Sequence, residues 1–172
     1  MAISTSPPTD REPAPREDAL ETVAAQVDAI DEIVGYARQR IQVFDVDLSE
    51  HGWNRAPRVD AIGRLLRSSR TARLDIIVHE TRWLEANGAR LMALLRKSGN
   101  AVTVYRTGNE ARSAMDPLII VDGRHCLHRF HAERPRAALL VAMPALVKPL
   151  VTRFDEIWAT GEPGLPGTVL GL

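Results

Sequence analysis

Residues 115–131, MDPLIIVDGRHCLHRFH, hold the densest group of side chains in the chain that could carry out chemistry. Three of the five histidines and the single cysteine, Cys126, fall within this stretch. An imidazole can act as a general base, a nucleophile or a metal ligand, and a thiol beside an imidazole can act as an activated nucleophile. Any catalytic or ligand-binding site is therefore expected here.

The spacing of these histidines argues against a metal site. His125, His128 and His131 are three residues apart, which suits one face of a helix, whereas on a strand His125 and His128 point to opposite sides. No acidic residue or second cysteine completes a metal-ligand spacing, so we predict neither a metal nor a cofactor. Two interpretations of Cys126 remain: a nucleophile paired with a histidine, or a small buried thiol.

The apolar pattern predicts the elements that position these side chains. Leu118–Val121 is an unbroken aliphatic run and predicts a buried strand. Asp122 and Gly123 are typical of a two-residue hairpin turn, after which residues 124–130 return as a second strand. Asp122 is thus simplest to interpret as a turn residue, although it also belongs to the candidate site.

Strands and helices alternate through the rest of the chain. Apolar, β-branched runs predict strands at residues 41–46, 74–78 and 101–105, with a further short strand at 137–142. Helical spacing predicts helices from Pro57, over residues 81–97, and from Pro144 to about Trp158. This order predicts an α/β fold with a mostly parallel βαβαβ sheet, a β-hairpin, and helices on both faces.

The ends of the chain are predicted to differ from this central domain. Residues 1–17 are polar and rich in proline, which predicts a disordered tail. Residues 18–39 predict an amphipathic helix that opens on a capping box of Asp18 and Glu21; its apolar seam could pack on its own domain or pair with a second copy. Residues 40–160 then form the α/β domain and residues 161–172 a C-terminal tail.

The composition limits the function classes. Lys+Arg 22 balances Asp+Glu 22 at an isoelectric point near 7.0, so any polyanion must bind through a local group of charges rather than a global field. The single cysteine excludes an internal disulfide framework and fits a reducing compartment. The first ten residues lack the pattern of a signal peptide, and no apolar run reaches about 18 residues, so a cytoplasmic protein without a membrane segment is expected.

Two further groups of residues are candidates for binding. The helix from Pro57 carries a series of arginines that could form a phosphate-binding surface or a solvated helix face: Arg58, Arg64, Arg67, Arg70 and Arg73. His79 follows the strand at residues 74–78, at the end of a parallel strand where α/β proteins often bind ligands, or else it is a helix-entry residue.

Several phrases of the sequence resemble one half of a phospholipase D superfamily domain. They are IQVFDVDL, ARLDIIV, NAVTVYR, LIIVDGRHCLHRF and RFDEIWATGEP, which together span roughly residues 41 to 160. The resemblance implies the βαβαβ sheet with its hairpin. It also implies a homodimer, because two halves of such a domain face each other across the active cleft.

The resemblance places the family motif HxKxxxxD on MDPLIIVD. The histidine nucleophile would then fall on Met115 and the lysine on Pro117, whereas the aspartate is retained as Asp122. A thioether cannot form the covalent intermediate, and proline has no side-chain donor for phosphate oxygens. LHRFH also stands where the family has Gly-Ser and an asparagine, so the resemblance implies that the family mechanism cannot operate on these residues and predicts no catalytic residue.

Three hypotheses follow. The first is a non-catalytic phospholipase D-like domain that acts as a binding or assembly module, as a homodimer. The second is binding of a phosphate-containing ligand or nucleic acid in the inherited cleft, through Asp122, Arg124, His125, His128, Arg129 and Arg106. The third is a hydrolase that uses the non-standard residues Cys126 or His125.

Overall fold

The computed structural model describes residues 12–165. Within this range eight strands form one sheet in the order β1-β7-β6-β5-β2-β3-β4-β8. The strands are β1 Arg16–Leu20, β2 Arg40–Asp45, β3 Arg73–Val78, β4 Val102–Arg106, β5 Leu118–Val121, β6 His125–His131, β7 Arg134–Val141 and β8 Glu162–Pro163. The α/β class is confirmed.

The prediction of a mostly parallel sheet is wrong. Only the pairs β2–β3 and β3–β4 are parallel, and the other five neighbouring pairs of the described sheet are antiparallel. Strands joined through a helix can pair in parallel, whereas strands joined by a tight turn pair antiparallel. The segments from β5 to β7 are joined by tight turns, so they extend the sheet as an antiparallel meander.

Helices cover both faces of the sheet, as predicted. On one face lie α1 Val23–Gly35, α2 Ala56–Ser68, α3 Arg82–Asn87 and α4 Ala89–Ser98, and on the other lies α5 Pro144–Trp158. Side chains alternate along each strand, so Val43 of β2 enters the core under the first group and Phe44 the core under α5. No helix within residues 12–165 is both long enough and apolar enough to span a bilayer.

The N-terminal helix starts later than predicted. Residues Arg16–Leu20, which the sequence assigned to the tail and to the first helical turn, form β1 and pair with β7. Thr22 caps α1 instead of Asp18, because its Oγ1 accepts a hydrogen bond from the Ala25 N–H at 3.1 Å. The pairing with β7 satisfies the backbone of this segment and overrides the local capping signal. Residues 1–11 and 166–172 of the predicted tails lie outside the described range, and the division into domains stays a prediction.

The helix predicted over residues 81–97 is divided into α3 and α4 at Gly88. A Cβ at this position would lie 2.6 Å from the Leu84 carbonyl oxygen, so the chain passes too close to α3 for any larger residue. Asn54 caps the second piece, because its Oδ1 accepts hydrogen bonds from the backbone N–H groups of Arg90 and Leu91. The break therefore has a local steric cause and a side-chain cap.

Candidate functional site

The predicted hairpin turn is confirmed, and Asp122 ties it to the rest of the sheet. Asp122 and Gly123 have φ values of 54° and 65°, as a type I′ turn requires. The Asp122 carboxylate accepts hydrogen bonds from three successive backbone N–H groups that lead from α1 into β2, those of Arg38, Gln39 and Arg40, at 2.8, 2.9 and 2.8 Å. The aspartate at the motif position thus has a structural role in this fold.

His125 begins β6 and faces the layer of α1. Its Nδ1 accepts a hydrogen bond from the Ala142 N–H at 2.9 Å, and its ring lies 5.3 Å from that of Tyr36. The residue is 3% exposed, and this burial lowers the pKa of His125. A neutral ring with Nδ1 as an acceptor fits these contacts.

His128 lies on the opposite face of β6, on the side of α5, as strand periodicity predicted. Its Nε2 is 3.1 Å from Oδ2 of Asp116. The same carboxylate accepts hydrogen bonds from Nε of Arg153, at 2.6 Å, and from Nη2 of Arg153. Burial opposes the ionisation of Asp116, but the hydrogen bonds from His128 and Arg153 outweigh it and lower the pKa of Asp116 to about 2. We call these three residues the Asp116 cluster.

The Asp116 cluster borders an open cavity of about 370 Å³. Met115 lines the same cavity, so this is the cleft in which the resemblance places the family's nucleophile. Ser113, His131 and Phe130 line the rest of it, and Phe130 is 54% exposed. Among the described residues no hydroxyl or thiol is hydrogen-bonded to His128, whose Nε2 is bonded to Asp116 instead.

The two arginines of the hairpin are both engaged. Arg129 is buried on the α1 side of β6, where it donates to Glu50 at 2.5 Å and to the Arg134 carbonyl at 2.8 Å. Arg124 pairs with Glu12. Neither arginine lines the cavity beside Met115.

Cys126 is fully buried between β6 and α5. Burial raises the pKa of its thiol far above the ordinary value, and no histidine is bonded to it. Within residues 12–165 no group of three potential ligands is close enough to hold a metal ion.

Arg106 lies at the carboxyl end of β4, at a different place from the hairpin residues. It lines a cavity of about 620 Å³ together with Gly108, Glu110 and Thr160, and its guanidinium forms no ion pair within residues 12–165. Nearby, His79 bridges Thr107 Oγ1 and the Ala114 carbonyl, both at 2.6 Å, and is buried. The six predicted binding residues therefore do not line one cavity: Asp122, Arg124 and His125 lie at the hairpin turn, His128 in the cleft, Arg129 on the opposite face of β6 and Arg106 at the end of β4. Their role in binding stays a prediction.

Sequence reasoning missed one buried polar network. His51 lies between Asp45 and Gln26, with its ring nitrogens at 3.1 and 3.0 Å from their side-chain oxygens. Arg58 binds Asp31 at 2.7 Å and the backbone carbonyls of His51 and Val27, and it lies over the ring of Trp53. Arg58 was expected on a solvent-facing basic side and is instead buried. Arg58 lies four residues before the apolar Ile62 and therefore on the same face of α2. This spacing is the sequence signal that could have predicted its burial.

The arrangement of the sheet and the hairpin is similar to that of solved phospholipase D-like structures. Nuc from Salmonella typhimurium, a phospholipase D family member, is similar with a TM-score of 0.57 and 14% identity over 87% of this chain and 97% of Nuc. NucT from Helicobacter pylori has a TM-score of 0.58 and 12% identity, with 88% and 100% of the two chains covered. The predicted phospholipase D-like fold is thereby confirmed.

A third similar structure is TrmBL2, an archaeal chromatin protein whose structure shows a novel mode of DNA binding. Its TM-score is 0.63 at 14% identity, over 94% of this chain and 56% of TrmBL2. This chain thus spans little more than half of that protein, and at these identities the likeness concerns the fold alone.

Within this fold class, the chain belongs to the family described as a domain of unknown function, DUF7931. The family model matches residues 22–165. A comparison with curated proteins gives no match.

Proposed function

We propose that this domain is a non-catalytic phospholipase D-like module that acts in the cytoplasm by binding and assembly. The observation that carries the proposal is the content of the cleft. Met115 and Pro117 stand where the resemblance expects a histidine and a lysine, and the adjoining cavity is lined by the Asp116 cluster. The degenerate motif and the neutralised cleft thus support the same conclusion.

The electrostatics of the cleft explain why hydrolysis is not expected. Phosphoryl transfer needs a nucleophile and cationic donors that are free to stabilise charge on the phosphate oxygens. Two donor nitrogens of Arg153 are committed to Asp116, and Nε2 of His128 is committed to the same carboxylate. The cluster has little positive field left for a transition state.

A phosphodiesterase assay tests this proposal. Bis(p-nitrophenyl) phosphate should be hydrolysed by the wild-type protein no faster than by a heat-inactivated sample. Turnover that disappears in His125→Ala or His128→Ala, and persists in a matched His131→Ala variant, would contradict it. His131 is the matched control because it borders the same cavity and does not contact Asp116.

We further propose that the module is a homodimer that assembles through the cleft face. The support is Phe130, a large aromatic side chain that borders the cleft and is 54% exposed. Leu146 on the first turn of α5 is 49% exposed and serves as a control. Light scattering should give about twice the 19.0 kDa chain mass for the wild type and for Leu146→Asp, and the single-chain mass for Phe130→Asp. A wild-type monomer would refute the dimer.

A second candidate function is binding of a phosphate-containing ligand or nucleic acid in the inherited cleft. One observation favours it: His128, His131 and Arg153 line a cavity beside the exposed ring of Phe130. The similarity to TrmBL2 adds a DNA-binding precedent for the fold. This function predicts salt-dependent binding of an oligonucleotide that is weakened by Arg153→Gln and not by Arg124→Ala, since Arg153 lines this cavity and Arg124 does not. Binding that is insensitive to salt and to Arg153 would remove it.

A further inference from the structure

The layer of helices α1 to α4 carries a group of cations away from the cleft. Residues 61–73, at the end of α2 and beyond, contain four arginines and no acidic residue. Residues 89–101, in α4 and just beyond, contain two arginines, one lysine and no acidic residue. We call the exposed cations at the ends of these two helices the helical basic patch: Arg64, Arg67, Arg70, Arg96 and Lys97.

The tertiary structure brings these two segments together. The helix α2 leads into β3 and α4 leads into β4, and the two strands pair in parallel with Leu74 opposite Val102. Both helices therefore end at the same end of the sheet, where β3 and β4 begin. They also pack closely, because a Cβ at Gly63 of α2 would lie only 3.5 Å from Leu94 of α4.

Four of the five cations of the patch have no ion-pair partner among the described residues. Arg64, Arg67, Arg70 and Lys97 form no ion pair within residues 12–165, although most other arginines of that range do. Asp60, one turn before Arg64 on α2, is not within ion-pair distance of it. Since the whole chain is neutral, the patch is a local excess of positive charge against a balanced background.

Helix stability alone does not explain this arrangement. Cations in the last turn of a helix interact favourably with the helix dipole, which accounts for Arg67, Arg96 and Lys97. Arg64 lies one turn earlier, and Arg70 lies beyond the end of α2. A small cavity of about 210 Å³ opens beside Arg64, between the ends of α1 and α2, so the surface there is concave.

We propose that the helical basic patch binds the phosphate backbone of nucleic acid with little dependence on base sequence. The proposal rests on the domain acting by binding, and it assigns the nucleic acid to a surface distinct from the cleft. Arginine suits this partner because its planar guanidinium can bind two phosphate oxygens at once. Residues 61–73 and 89–101 contain no aromatic side chain for stacking on bases, so the phosphates are the groups that this surface can recognise.

The number of cations sets the expected salt dependence. If about four of them each displace one counterion, the slope of log affinity against log salt is about −3.6 for a duplex. Raising the salt from 50 to 200 mM should then weaken binding by about 150-fold.

Fluorescence anisotropy with a labelled random-sequence DNA duplex tests the proposal on the full chain. The variant Arg64→Gln/Arg67→Gln/Arg70→Gln should lose at least about a hundredfold in affinity at 100 mM salt, and its slope should fall to about −1. The matched control Arg134→Gln/Arg136→Gln/Lys148→Gln removes the same charge from β7 and α5 and should stay within about twofold of the wild type. Circular dichroism should show both variants folded.

Three outcomes would overturn the proposal: no duplex binding at 50 mM salt, equal losses in the two triple variants, or patch-dependent binding to phosphatidylserine vesicles without binding to the duplex. Electrophoresis of the recovered DNA separates this proposal from the previous one. Cleaved DNA would refute the non-catalytic function without contradicting DNA binding by the helical basic patch. Intact DNA that the patch variant binds as well as the wild type would refute only the proposed role of the patch.

Discussion

Replacing Asp122 with alanine removes the carboxylate that ties the β5–β6 hairpin to the segment between α1 and β2. Three backbone hydrogen bonds, from Arg38, Gln39 and Arg40, would be lost at once. The site is exposed, so water replaces part of each bond, and a net loss of about 1 kcal/mol per bond is reasonable. Alanine at φ 54° adds about 1 kcal/mol of backbone strain, so the total is about 4 kcal/mol.

The matched variant Asp122→Asn separates the hydrogen bonds from the backbone conformation. Asparagine tolerates the left-handed region and keeps one acceptor oxygen, which can still serve Gln39 and Arg40 as Oδ1 does. Only the bond from Arg38 is lost, at a cost of about 1 kcal/mol.

Urea unfolding followed by tryptophan fluorescence measures both effects. Urea titration should give the losses in free energy stated above, and thermal unfolding of the same variants should show a fall in melting temperature of about 8–16 °C for Asp122→Ala and about 2–4 °C for Asp122→Asn. If both variants unfold within about 0.5 kcal/mol of the wild type, the structural role of Asp122 is refuted.

Three further predictions concern buried groups. Arg58→Ala should lower the free energy of unfolding by about 3–5 kcal/mol, because Asp31 and two carbonyls lose their partner, whereas the exposed Arg67→Ala should change it by less than about 0.5 kcal/mol; urea titration checks both. Cys126 should not react with Ellman's reagent in the native protein and should react fully in denaturant, because burial raises the pKa of its thiol; labelling in the native state at the rate of a small free thiol would contradict this. Burial lowers the pKa of His125, so its contribution to stability is complete above its ordinary pKa of 6.5 and is lost as the pH falls; unfolding measured from pH 7 to 5 should be less pH-dependent in His125→Gln than in the wild type.

The local signals of the sequence predicted most elements of the fold correctly. Aliphatic runs marked β3 and β5, since such residues favour a strand that is buried on both faces. Asp122-Gly123 marked the hairpin, because few other dipeptides accept two successive positive φ values. The orientation of most strand pairs could not be derived, because pairing depends on partners far along the chain. For the same reason β1 was missed: its partner β7 lies more than a hundred residues away.

The candidate site shows the same division. Strand periodicity alone determined that His125 and His128 point to opposite faces, because successive residues of a strand alternate. What each imidazole touches was decided by packing: α5 brings Arg153 to Asp116 and so to His128, and the strand end beyond β7 brings the Ala142 N–H to His125.

The sequence by itself determined the hairpin, the buried strands, the opposed histidines and the absence of a histidine and a lysine at residues 115 and 117. Only the tertiary structure decided that Arg58 is buried, that Asp116 pairs with Arg153 and His128 beside the cleft, and that the ends of α2 and α4 meet in one basic patch. The physical reason is range. Backbone preferences and side-chain alternation act between neighbours in the chain, whereas burial and charge compensation depend on which distant segments the sheet places side by side.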